Sequence, residues 1–151
     1  MKTTEIEKKI EHLLPMEIEK RSFEIIAEEL AARKIVLPPD QDPITRRVIH
    51  TSADFEYAET MRYSEGAIAR AKELICSGAD IVTDTNMALS GINKKQLAKF
   101  GGQVHCFMAD ETVAKLAAER KTTRAAVSME MAAKIDKPVI FAVGNAPTAL
   151  I

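Results

Sequence analysis

The histidine at position 50 is the side chain in this sequence best suited to proton chemistry. His50 ends the run RVIH and is followed by Thr51, Ser52 and, two residues further on, Asp54. Imidazole is the side chain that most readily gives or takes a proton near neutral pH, and neighbouring hydroxyls or a carboxylate can fix its tautomer. A histidine that ends a helix and satisfies carbonyl groups fits the same pattern, and spacing alone favours that second interpretation.

Arg124 is a second candidate, for binding an anion. It follows Thr122 and Thr123 at a predicted helix start, where hydroxyls, free backbone amides and a guanidinium suit a carboxylate ligand. A capped helix beside a solvated arginine explains that pattern equally well. Ser22, inside a predicted helix, and His105, in a predicted strand, carry no functional signal from their spacing alone.

Helices and strands alternate along most of the chain. Periodic apolar residues predict helices over 4–14, from Pro15 to about residue 30, and then over 43–50, 64–77, 93–100, 110–120 and 123–135. Predicted strands lie at 79–83, 103–107 and 139–143, and the last is apolar throughout, which suits burial on both faces. The alternation predicts an α/β fold: three α/β/α layers around a mainly parallel sheet, flavodoxin-like and doubly wound.

In such a sheet, ligands bind beyond the carboxyl ends of the strands. Three predicted turns meet there, at residues 84–87, 108–110 and 144–148. The first offers a hydroxyl and an amide, and the last offers a glycine for close backbone approach and a second amide. The predicted binding residues in these turns are Thr85, Asn86, Gly144 and Asn145.

Composition excludes several classes of protein. The chain has 151 residues, 46% hydrophobic and 28% charged, which is typical of one globular domain. Its net charge of −1 gives no overall field for nucleic acid or an acidic membrane. Cys76 and Cys106 form no metal-binding pattern, so we expect reduced thiols, a cytoplasmic protein and no metal site. No 18-residue apolar stretch and no signal-peptide pattern occurs, which predicts no membrane association.

Three stretches together resemble the precorrin-8X methylmutases, the precorrin isomerases of cobalamin biosynthesis. They are EKRSFEII at 19–26, RVIHTSAD at 47–54 and VGNAPTAL at 143–150, and IVTDTNM at 81–87 and TTRAA at 122–126 fall between them in the family's order. Family members continue beyond the NAPTAL segment with a further helix and strand, whereas this chain stops at Ile151. We therefore expect a single domain over 1–151 that lacks the family's C-terminal extension.

The resemblance implies an isomerase that moves a methyl group from ring carbon 11 to ring carbon 12 of precorrin-8X or cobalt-precorrin-8, giving hydrogenobyrinic acid or cobyrinic acid. It implies that His50 donates a proton to the macrocycle, and it maps the family's active-site serine and arginine onto Ser22 and Arg124. It further implies a homodimer that binds a corrinoid and needs no cofactor. Cations should surround a substrate so rich in carboxylates, and the candidates are Arg46, Arg47, Lys121 and Arg124.

Two other classes of function compete with this one. A non-catalytic corrinoid-binding or carrier protein could use the same pocket. An unrelated doubly wound signalling or nucleotide-binding domain would need a phosphate-binding glycine loop or an acidic phospho-acceptor cluster, and the sequence has neither. The motifs that support triad hydrolysis or zinc-dependent proteolysis, GxSxG and HExxH, do not occur either.

Overall fold

A computed structural model of the chain describes residues 15–144 and Ala149, which fall into two compact units on either side of the boundary between Glu65 and Gly66. The helix predicted over 4–14 and the predicted binding residue Asn145 lie outside the described residues. The assignment of the whole chain to a single domain stays a prediction.

The first unit is helical. It contains α1 (Pro15–Ala32), α2 (Asp42–Ser52) and the short α3 (Tyr57–Thr60). The helices predicted from Pro15 and over 43–50 are confirmed, and α2 is slightly longer than predicted. Apolar residues one turn apart on α1 form the core with α2, and partly buried side chains of the following loops complete it; these residues are Ile26, Leu30 and Ile49, then Ile35, Leu37, Phe55 and Ala58.

The second unit is the predicted α/β structure. Its elements are α4 (Ala67–Cys76), β1 (Asp80–Thr83), α5 (Asn86–Gly91), α6 (Lys94–Lys99), β2 (Val104–His105), α7 (Glu111–Glu119), α8 (Arg124–Ala132) and β3 (Val139–Ala142). The sheet has the order β2-β1-β3 and both pairings are parallel. β2 and β3 flank β1 on opposite sides, the strand order in which right-handed crossovers run in both directions. The predicted α/β fold class with a parallel sheet is thereby confirmed.

Two details of this unit differ from the predictions. Residues 86–91, left without an element by the pattern, form α5, because the Thr85 side chain caps it by accepting a hydrogen bond from the Ala88 N–H at 3.1 Å. β3 is not buried on both faces, since Phe141 is 46% exposed. Within the described residues β3 pairs only with β1, so it is an edge strand rather than a central one.

Glycine is required where α6 ends and the chain turns toward β2. A Cβ added at Gly102 would collide with the carbonyl oxygen of Ala79 and with the side chain of Leu97. Gly78, which follows α4, has φ of 86°, a left-handed conformation that glycine adopts without strain. The predicted helix stop at Gly78 is thus confirmed, and the two glycines let this turn approach β1 closely.

A buried carboxylate fastens the amino-terminal end of the sheet. Asp80, 4% exposed, accepts hydrogen bonds from His105 Nε2 at 2.8 Å, from Lys137 Nζ at 2.9 Å and from the Gln103 backbone N–H at 2.9 Å. Burial raises the pKa of Asp80, but the hydrogen bonds from Lys137, His105 and Gln103 outweigh it and lower the pKa to about 2. His105 is therefore a hydrogen-bonded strand residue. The network joins β1 to β2 and to the residues that precede β3.

No helix among the residues that the structure describes is both long and apolar enough to cross a membrane.

We predict that Asp80→Asn lowers the free energy of unfolding by roughly 2–4 kcal/mol, because it removes one partner of a buried charged network. Urea unfolding at neutral pH measures the change. The matched control is Glu73→Gln, which breaks the exposed pair between Glu73 and Arg70 and should cost less than about 1 kcal/mol. Equal losses in the two variants would contradict the role of Asp80.

The same network makes stability depend on pH. A lowered carboxyl pKa contributes stability that is present above the unfolded pKa, near 4, and is lost as pH falls toward the folded pKa, about 2. The difference in unfolding free energy between wild type and Asp80→Asn should therefore narrow by about 2 kcal/mol over that window. Parallel pH curves for the two proteins would contradict this assignment.

Candidate functional site

A cleft between α1 and α2 contains two of the predicted site residues. It has a volume of about 350 Å³, and its polar lining residues are Arg21, Ser22 and His50. The remaining described lining residues are apolar: Ile18, Ile25, Ile26, Ile49, Ala53 and Phe55. Ile18 and Ile25 are 56% and 48% exposed, so an apolar wall faces the opening. Apolar walls with a few convergent polar groups are typical of small-molecule sites.

His50 is held in this cleft by Ser22. The Ser22 hydroxyl lies 2.8 Å from His50 Nδ1, in a part-buried hydrogen bond that joins residues 28 positions apart. Serine can accept from Nδ1–H or donate to an unprotonated Nδ1, so it suits either state of the ring. No described residue hydrogen-bonds to Nε2, the other ring nitrogen. A ligand in the cleft can therefore meet Nε2 while Ser22 holds Nδ1.

A second group of side chains surrounds the same histidine. The Phe23 ring stacks on His50 with centroids 5.1 Å apart and an interplanar angle of 22°. The Arg47 guanidinium lies 4.7 Å from the centroid of the Phe23 ring and is ion-paired with Glu19. The hydrogen bond and the charge of Arg47, with a smaller contribution from His50, hold the pKa of the Glu19 carboxyl below its usual range. The ion pair is thus intact at neutral pH.

The helix that carries His50 ends at the cleft. Ala53 has φ of 57°, a left-handed conformation, and its N–H bonds to the Ile49 carbonyl at 2.7 Å. This turn stops α2 shortly after His50, and Ala53 lines the cleft with a side chain too small to fill it. His50 is thus both a residue of the last helical turn, as spacing alone favoured, and a lining residue of a cleft.

The second unit has a separate pocket at the carboxyl end of its sheet. It measures about 440 Å³, and its described lining residues are Thr85, Met87, Ala88 and Gly144. The Gly144 N–H donates to the buried Asp84 carboxylate at 3.1 Å, which brings the turns after β1 and β3 together. That part of the sequence prediction is confirmed.

Other predictions for this edge do not hold in full. None of residues 108–110 is among the described lining residues, because Met108 points its sulfur toward Ser128 at 3.4 Å. Asn86, the first residue of α5, is exposed and also does not line the pocket. The structure therefore places Thr85 and Gly144, but not Asn86, at the pocket.

Arg124 occupies the first position of α8 and is exposed. Thr123 caps that helix by accepting from the Ala126 N–H at 3.2 Å, so the capped-helix interpretation is correct in its local detail. Of the other predicted cations, Arg46 is bonded to Asp42 at 2.7 Å and Arg47 is paired with Glu19. Arg124 has no ion pair with any described residue, which leaves its guanidinium available to a carboxylate.

Within the described part of the chain, no three His, Cys, Asp or Glu side chains are grouped so that they could hold a metal ion. Cys76 and Cys106 are both free thiols.

Residues 17–151 match the precorrin-8X methylmutase family. The cobalt-precorrin-8 methylmutase of Priestia megaterium is 42% identical over 91% of this chain and 60% of that protein. The Salmonella typhimurium strain LT2 protein of the same name is 38% identical over 90% of this chain and 67% of its own length. The chain belongs to the precorrin-8X methylmutase family. The family resemblance inferred from the sequence motifs is thereby confirmed.

The fold agrees with that membership. A crystal structure of precorrin-8X methylmutase from Thermus thermophilus matches with a TM-score of 0.77 at 36% identity, over 89% of this chain and 65% of that one. The chain spans about 60% of the length of the Priestia megaterium relative.

Sequence reasoning found His50 and Ser22 in the family motifs but missed the part played by Phe23, Arg47 and Glu19 around the imidazole. Phe23 was assigned to the apolar face of a helix. One signal was present: Glu19 and Phe23 are four residues apart, as are neighbours on a helix face, and Ser22 lies between them. That spacing places all three near one another, but it does not say what they face.

We predict that Ser22→Ala leaves the fold intact but releases the His50 ring. The variant removes the only hydrogen bond that a described residue makes to Nδ1, so the neutral ring should change from one dominant tautomer to a mixture. Nitrogen-15 NMR of the imidazole measures the ratio. Ser52→Ala is the control, since that hydroxyl donates to the Val48 carbonyl at 2.8 Å rather than to His50. An unchanged ratio in Ser22→Ala would show that Ser22 does not set the tautomer.

Proposed function

We propose that this protein is an isomerase that moves a methyl group from ring carbon 11 to ring carbon 12 of precorrin-8X or cobalt-precorrin-8. The product is hydrogenobyrinic acid or cobyrinic acid. The observation that carries the proposal is the hydrogen bond between Ser22 and His50 at an apolar cleft, in a chain that belongs to the precorrin-8X methylmutase family.

In this mechanism the protonated His50 donates its Nε2 proton to the macrocycle. Ser22 accepts the hydrogen bond from Nδ1–H throughout, which keeps the second proton on the ring and Nε2 in place. Protonation makes the conjugated ring electron-poor, so the methyl group moves with its bonding electrons as the bond to carbon 11 breaks and the bond to carbon 12 forms. The added proton is balanced by the loss of one when conjugation is restored, because substrate and product are isomers.

The apolar walls assist this transfer. Ile18, Ile25 and Phe55 exclude water from one side of the ligand, and fewer water molecules then compete with Nε2 for the proton acceptor. Because the methyl group never leaves the molecule, we infer that no external donor and no cofactor takes part.

The substrate's carboxylates need partners elsewhere on the protein. We infer that Arg124 binds one of them, since its guanidinium is exposed and has no described carboxylate partner, and that Thr85, Asn86, Gly144 and Asn145 also contact substrate. A cleft of about 350 Å³ is at the small end of ligand pockets. A macrocycle with many side arms needs more surface than that, which supports a homodimer whose partner completes the site. Free thiols at Cys76 and Cys106 support a cytoplasmic protein.

The direct test is to mix catalytic amounts of the full chain with the metal-free precursor and, separately, with the cobalt-containing one, and to follow the visible spectrum. We expect multiple turnovers with one of them. A spectral change that stops at the protein concentration indicates a corrinoid carrier and overturns the proposed isomerase, as does no change with either precursor.

His50→Ala should lower turnover by roughly two to four orders of magnitude, the usual contribution of a general acid, while leaving ligand binding intact. The control is Thr51→Ala, because the Thr51 hydroxyl is exposed and donates to the Arg47 carbonyl. That variant should keep its rate within about twofold, as expected for a surface substitution. A wild-type rate in His50→Ala would remove His50 from the mechanism.

Arg124→Ala should weaken binding of the precursor by about tenfold or more, because a charge-assisted hydrogen bond to a carboxylate is lost. Absorbance titration measures the dissociation constant. Arg70→Ala is the control, since Arg70 is exposed and already paired with Glu73 at 2.8 Å. If the two variants bind equally well, Arg124 does not contact the ligand.

A further inference from the structure

The position of the His50 ring is fixed at two places, of which the hydrogen bond to Ser22 is only one. A ring held at Nδ1 alone can still tilt about that atom and swing Nε2 through the cleft. The Phe23 ring stacks on His50 at an interplanar angle of 22° and a centroid distance of 5.1 Å, and this contact restricts the tilt. The direction of Nε2 thus depends on Phe23 as well as on Ser22.

Phe23 is in turn held by charged groups of both helices. The Arg47 guanidinium of α2 lies 4.7 Å from the centroid of its ring, a distance at which a cation is attracted to an aromatic face. Glu19 of α1 forms an ion pair with the same guanidinium. Because Arg47 and His50 are three residues apart on α2, the two contacts of Phe23 come from the same helical turn and fasten α1 to α2 next to the imidazole.

We propose that Phe23 is a positioning residue for His50, and that the ion pair between Arg47 and Glu19 keeps Phe23 against the imidazole. Its kinetic consequence rests on the proposed function. If His50 delivers a proton, the angle of its ring decides how well Nε2 meets the acceptor, and a small misplacement of a reacting group lowers the rate without weakening binding. The effect of Phe23 should therefore appear in kcat rather than in KM.

The chain contains a matched control for this arrangement. Arg33 lies 4.6 Å from the centroid of the Phe55 ring and is bonded to Glu29 at 2.8 Å, so a carboxylate, an arginine and a phenylalanine recur in the same unit. Phe55 also lines the cleft, but no described ring stacks on it. Substitutions of Phe55 therefore report the general cost of losing a phenylalanine under an arginine beside this cleft.

The test compares Phe23→Leu with Phe55→Leu in the full chain. Phe23→Leu keeps apolar bulk but loses the flat ring, and we expect kcat to fall about tenfold while KM changes less than about twofold. The His50 imidazole signals in nitrogen-15 NMR should broaden in Phe23→Leu, because the ring samples more orientations, and should keep their wild-type widths in Phe55→Leu. Phe23→Tyr retains the stacking ring and should restore both kcat and sharp signals.

A third variant tests the ion pair. Arg47→Lys keeps the charge beside Glu19 but loses the planar guanidinium, so we expect partial broadening and a smaller fall in kcat than in Phe23→Leu. If Phe23→Leu fails to fold, as judged by thermal unfolding, Arg47→Lys decides the question, and wild-type line widths and kcat in that variant would overturn the proposal.

The outcomes separate this inference from the proposed function. Wild-type kcat and sharp His50 signals in Phe23→Leu, together with an inactive His50→Ala, refute the positioning role and leave the isomerase intact. A wild-type protein that turns over neither precursor refutes the isomerase. In that case the line widths alone decide whether Phe23 holds His50, because they are measured without substrate.

Discussion

The packing of α1 on α2 gives His50 a defined environment. Ile49 is almost fully buried against Ile26 and Leu30, and consecutive residues of a helix point about 100° apart. Burying Ile49 therefore turns His50 toward the rim of the same interface. Ser22 precedes Ile26 by one helical turn and faces that rim from α1. The apolar core and the hydrogen bond between Ser22 and His50 are thus consequences of a single helix contact.

Paired charges distinguish the structural cations from the available one. Arg46 and Arg47 were both expected to serve a ligand, yet each is bonded to a carboxylate of its own unit. The Arg47 pair lies beside the imidazole and carries a phenylalanine with it, so its contribution is to the geometry of His50. In the second unit Lys137 likewise serves the buried Asp80 at the start of the sheet. Arg124 has no such carboxylate among the described residues.

Much of the fold follows from local pattern. Helical periodicity located α2, α4, α7 and α8 to within a few residues, because amphipathic spacing and capping residues act over a single turn. The environment of β3 was wrong for the opposite reason: an apolar run shows that a strand is half-buried or more, but its place in the sheet depends on pairing. α5 was missed because six residues are too few for a periodic pattern.

The sequence by itself determined the family, the alternation of helices and parallel strands, and the presence of proton chemistry at position 50. Motifs and periodicity carry that information, since each depends on residue types at fixed spacing. Only the tertiary structure decided that Ser22 meets Nδ1 of His50, that Phe23 stacks on its ring and that Arg47 is paired with Glu19. Those contacts join residues more than 20 positions apart. They depend on the relative rotation and depth of two packed helices, which the summed burial of the core sets and no local stretch of sequence encodes.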